Sequence, residues 1–238
     1  MTGVSKSVAG IDLGPSLENE STGVLLAHRI EECVWKVGRT REHWIRNSSK
    51  CECNSRLASL VEDCEVVVID APLCLESIKP WETLLISCPD LTVAMKPSFT
   101  YSILSHAWRA HSLLNLLTKP QAFEVFPASW FLLCEFDDTV VWKGEDTARQ
   151  RKVDWFRKQI SKLASERICT INYNDQWASA DDADALACIL CSVLLAERAT
   201  LQRLDVTVPP VLFPPRVLWD DNLPETVRKL PWQDYSIE

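Results

Sequence analysis

Four aspartates stand where an uncompensated charge would be expensive. Asp12 ends the apolar run SVAGID, Asp70 ends VVVID, and Asp181 and Asp184 open DDADALACILC, a segment with almost no polar face. An ionised carboxylate beside so much apolar surface is costly unless a cation or hydrogen-bond donors compensate it. Carboxylates that converge are the usual ligands of Mg²⁺ or Mn²⁺, hard ions that favour oxygen. An ion held there would act as a Lewis acid and ease loss of a proton from bound water. Each acid also has a plainer reading. An aspartate after a strand often caps a turn, and Asp181 alone would favour the positive end of a helix.

Spacing sharpens the metal reading. At 100° per residue, Asp181, Asp184, Cys188, Cys191 and Leu195 share one stripe, so the two acids extend a row that is otherwise small and apolar. Ser179 is placed to cap this helix with Asp182 as its capping-box partner, which leaves Asp182 a structural role. A second feature is basic. The segment from Thr147 to Ile168 carries Arg149, Arg151, Lys152, Arg157, Lys158, Lys162 and Arg167 against only Asp154 and Glu166. That excess suits a phosphate-facing surface, with Arg149, Arg151, Lys152 and Lys158 as nucleic-acid contacts; a solvated helix face is the alternative.

Positioning these side chains requires a sheet with helices on it. Residues 7–13 read as a buried strand, and 23–30 and 31–38 as two more in an antiparallel meander. A helix over 54–63 leads into 66–71, a β-branched run stopped by Pro72, the pattern of a strand buried on both faces in a parallel part of the sheet. Residues 73–97 carry three prolines and read as irregular. A helix over 99–117, a short strand over 122–126 ended by Pro127, and helices over 147–168 and 179–200 follow. Six of the thirteen prolines lie in 205–238, among Val206, Val211, Phe213 and Trp219, which predicts an extended tail laid on the core. The expected organisation is one domain over 1–200 and a packed, Pro-rich C-terminal tail over 201–238. The order β-β-β-α-β-α-β-α plus a last helix is the ribonuclease H-like topology: α/β, with a five-stranded mixed sheet flanked by helices.

AGIDLG (9–14), VVVIDAPL (66–73) and DDADALACIL (181–190) look like the corresponding segments of RuvC-like nucleases of the ribonuclease H superfamily, whose last helix carries an Asp-x-x-Asp-Ala pair. IDAPL, FEVFP at 123–127 and the late DDADALA together resemble the predicted-nuclease family called domain of unknown function 429. The resemblance spans residues 9–190. It implies a hydrolase acting on nucleic acid, with Asp12, Asp70, Asp181 and Asp184 as catalytic metal ligands and Glu124 as an outer ligand. It also implies two Mg²⁺ or Mn²⁺ ions about 4 Å apart, bridged by Asp12. Without the resemblance, Glu124 reads as an exposed residue on an edge strand.

Composition narrows the alternatives. With 25 Lys and Arg against 33 Asp and Glu, the net charge of -8 argues against a protein that coats nucleic acid nonspecifically. Glycine numbers six, and none lies beyond Gly144, so neither a Walker A loop nor a dinucleotide-binding G-x-G-x-x-G is present. That absence weighs against an actin-like kinase relative, although GIDLGPS resembles the first phosphate loop of that superfamily. A non-catalytic binding protein on the same fold is the other alternative, since Ala128 stands where the family carries a second acid. Ten cysteines in 238 residues are too dilute for a disulfide scaffold and read as mostly buried thiols. No apolar run is long enough to span a membrane and the N-terminus lacks a secretory core, so the expected location is the cytoplasm.

Overall fold

Valine and isoleucine recur through the central strands of the sheet. β1 (Ser7–Leu13) pairs antiparallel with β2 (Thr22–Glu31), which pairs antiparallel with β3 (Val34–Arg39). On its other side β1 pairs parallel with β4 (Val66–Asp70), and β4 with β5 (Gln121–Val125). The computed structural model describes residues 6–13, 22–39, 50–73, 99–136, 146–174, 180–204 and 210–237. Two further strands extend the sheet, β6 (Thr170–Tyr173) parallel to β3 and β8 (Val211–Leu212) parallel to β5. Among the described residues the sheet therefore has seven strands in the order β6-β3-β2-β1-β4-β5-β8, rather than the five expected, and of these only β2 runs against the rest. β6 and β8 span four and two residues, too short for alternation to show in sequence.

Alternation along the central strands sorts their side chains into two layers. Val8, Val66, Val68, Phe123 and Val125 share one core with α5 (Ala180–Ala196) and α4 (Asp146–Ser165). Ala9, Ile11, Leu13, Val67 and Ile69 share the other with α1 (Lys50–Val61) and α2 (Phe99–Leu114), through Leu57, Val61, Ala110 and Leu113. α5 lies directly on β1. A Cβ added to Gly10 would sit 2.2 Å from the backbone nitrogen of Ile189, so only glycine admits this approach. Ser192 Oγ donates to the Ala9 carbonyl at 2.6 Å and Cys188 Sγ to that of Ile11 at 3.4 Å, joining helix to strand by short side chains.

Pro127 ends β5 and also starts a helix, α3 (Pro127–Cys134), that the sequence reading did not contain. Proline at the first helical position costs no hydrogen bond, because that N–H has no partner within a helix. α3 is buried almost throughout, and Trp130 Nε1 donates to the Leu212 carbonyl at 3.0 Å, pinning β8 to the sheet edge. After α5 the chain forms β7 (Leu201–Arg203), β8, a 3₁₀ turn at Arg216–Leu218, α6 (Glu225–Arg228) and β9 (Gln233–Tyr235), with β7 and β9 antiparallel. Phe213, Trp219, Leu223, Val227 and Trp232 pack there into a third apolar cluster with Leu133 of α3. Among the described residues, no helix is long and apolar enough to cross a membrane.

Candidate carboxylate site

Asp12 and Asp70 are partners in register at the C-terminal ends of two parallel neighbours. Adjacent strands run about 4.8 Å apart. Asp12 lies two residues beyond Gly10 and Asp70 two beyond Val68, so both carboxylates point to the face that α5 covers. Asp184, in the first turns of α5, comes down over the same end. The thiol of Cys188, one turn further along α5, registers the convergence. Burial pushes its pKa well above the usual range, and the charges of Asp70, Asp12 and Asp184 push it the same way.

Two buried cations approach these acids from opposite layers. Lys152 on α4 is 5% exposed, and its ammonium donates to Asp184 Oδ1 while standing 5.7 Å from the centre of the Phe131 ring. The Asp184 side chain is 30% exposed, so the pair sits at the mouth of the site with its cation inward. Arg109 on α2 is also buried. Burial lowers its pKa, whereas Cys53 and Asp12 oppose that shift, which places its guanidinium within electrostatic reach of Asp12. The sequence reading missed Arg109, yet a signal existed: it is the one Asp, Glu, Lys or Arg in FTYSILSHAWRAHSLL.

Glu124 is fully buried rather than exposed, and β5 is not an edge strand because β8 lies beyond it. In register it stands beside Ile69, on the face opposite to Asp12 and Asp70, and its Oε2 accepts the Leu73 N–H at 2.8 Å. It thus braces the turn that follows Asp70. The side chains of Asp181 and Arg149 lie outside the described residues, although both belong to helices that are described.

The basic helix divides between its two faces. Lys152 shares the buried face of α4 with Trp155, Phe156, Gln159 and Leu163, so it is not the surface contact expected of it. Arg151 and Lys158 do face solvent, with Lys158 3.6 Å from Glu135. Arg157 pairs with Asp154 at 2.8 Å, and Lys162 Nζ donates to the Trp219 carbonyl at 3.4 Å. Much of the apparent basic excess is thereby committed within the molecule.

Among the described residues, no three His, Cys, Asp or Glu side chains lie close enough together to hold a metal ion. With Asp184 turned to Lys152, the arrangement offers Asp12 and Asp70 as an adjacent carboxylate pair, flanked by one lysine and one arginine. Oxygen donors of this kind suit a hard divalent cation completed by water, since Mg²⁺ commonly takes only one or two protein carboxylates. No family model, no curated protein and no solved structure matches this chain.

Proposed function

We propose that this chain is a divalent-metal-dependent nuclease built on a ribonuclease H-like sheet, related to the predicted nucleases its motifs resemble. The observation that carries the reading is the register pairing of Asp12 with Asp70 on the face covered by the Asp184 helix. The order β3-β2-β1-β4-β5, with only β2 reversed, supports the same fold reading. When bound, Mg²⁺ or Mn²⁺ would polarise a phosphodiester and ease loss of a proton from water. Asp12 and Asp70 would hold that charge at the sheet end. Glu124 fixes the backbone after Asp70, and Arg151, exposed on α4, would be available to a flanking phosphate.

A second reading has its own support. Lys152 on Asp184 and Arg109 near Asp12 already compensate part of the cluster, which favours a nucleic-acid-binding protein without catalysis. The two readings separate in one assay. Single- and double-stranded DNA and RNA are incubated with the protein in Mn²⁺, in Mg²⁺ and in chelator. The nuclease reading expects cleavage only with metal and its loss, by about two orders of magnitude or more, in Asp12→Asn and Asp70→Asn. Salt-sensitive binding with no cleavage of any substrate selects the binding protein instead. Cleavage that persists in both aspartate variants sinks the assignment of this site.

A further inference from the structure

We infer that the Lys152 ammonium is a built-in cation of the carboxylate site, so that the cluster takes one divalent ion, at Asp12 and Asp70, rather than two. This rests on the proposed reading of those aspartates as metal ligands. The lysine is committed by its surroundings. It is 5% exposed, its stem lies on the buried face of α4 between α3 and α5, and its nitrogen bonds to Asp184 Oδ1. A lysine anchored on a helix face cannot swing its charge into solvent as a surface lysine does, because its stem would leave the core with it. An ion binding Asp184 would have to displace this ammonium or share a carboxylate with it, and like charges a few ångströms apart in a partly buried site repel strongly.

Charge counting agrees. Lys152 already offsets Asp184, which leaves the two in-register carboxylates of Asp12 and Asp70. One divalent ion balances that pair. Asp181 stands outside this count. Lys152 is on this view a positioning residue: it fixes where the ion sits by withholding Asp184 from it.

The test counts ions. Mn²⁺ is titrated into the full-length protein, with free Mn²⁺ followed by electron paramagnetic resonance and heat by calorimetry. The expected result is one ion in the parent and two in Lys152→Met, where a chain of similar length keeps the packing and releases Asp184. The double variant Lys152→Met/Asp184→Asn, which leaves neither charge alone, should bind one ion with affinity within about threefold of the parent. Two ions in the parent, or one ion still in a folded Lys152→Met, overturns the inference. If Lys152→Met does not fold, the double variant decides, and a loss of about tenfold or more there shows that Asp184 is a ligand and overturns it too. No ion bound by the parent, or binding that Asp12→Asn leaves unchanged, defeats the metal reading of the site itself, an outcome distinct from a wrong count.

Discussion

Asp184 and Lys152 illustrate how one partner changes the meaning of a residue. Clustered acids in isolation repel, so removing a charge should relieve the folded state. With Lys152 buried against Asp184, Asp184→Asn instead strands an ammonium in the core. The expected cost is about 1–3 kcal/mol, read from urea denaturation in chelator, and a variant as stable as the parent would show the pair to be energetically idle. Gly10 carries a second residue-scale expectation. Gly10→Ala drives a methyl into the backbone of α5 at Ile189 and should cost about 3 kcal/mol or more, since neither strand nor helix can retreat without opening the core. Asp12 and Asp70 were legible because each ended an apolar run at a strand end. Lys152 was not, because counting charges along α4 ignores their phase. Its spacing to Trp155, Phe156, Gln159 and Leu163 puts it on the apolar stripe, and that phase was available in the sequence.

Elements with long, one-sided patterns were legible and short ones were not. β1 and β4 fell where their β-branched runs are, and α5 where its small apolar stripe is. α3 was missed because a proline after a strand reads as a stop, whereas here it is also a start. Glu124 shows what an element's position does to a side chain: as the neighbour of β4 rather than an edge, β5 places it wholly out of water. Glu124→Ala leaves the Leu73 N–H without that acceptor, and a loss of about 1–3 kcal/mol is expected, with metal affinity falling alongside as the Asp70 turn loosens. Unchanged Mn²⁺ binding in that variant would separate the brace from the site. The buried thiols lend the elements a pH dependence. Burial, helped by Asp63, raises Cys64 from 9.0 to about 11, and burial, helped by Glu197 and Cys33, raises Cys169 to about 12. A proton held more tightly in the folded chain adds stability that is complete below the unfolded value and is lost as pH climbs to the folded one. Stability should therefore decline above pH 9, up to about 11 for Cys64, and the decline should be shallower in Cys64→Ala when urea midpoints are compared across that window.

At the scale of the whole molecule, the residues after α5 complete the sheet as well as cover it. β8 lies against β5, and the third apolar cluster closes over Leu133. Ending the chain at residue 204 removes that strand and exposes β5 as an open edge, the arrangement that invites pairing with another copy. The shortened chain should associate at micromolar concentration in sedimentation velocity, while a monomer with an unshifted urea midpoint would show the last segment to be an ornament. The contact of Gly10 with Ile189 bears on time as well as packing. Strand and helix are roughly 180 residues apart, so the contact belongs to the class that closes late and slows folding. During synthesis β1 to β3 leave the ribosome well before α5, so Val8, Leu25 and Ala27 emerge without the α5 residues that share their core. A nascent chain stalled before residue 180 should be captured by a chaperone that binds apolar strands, and one released at full length should escape it.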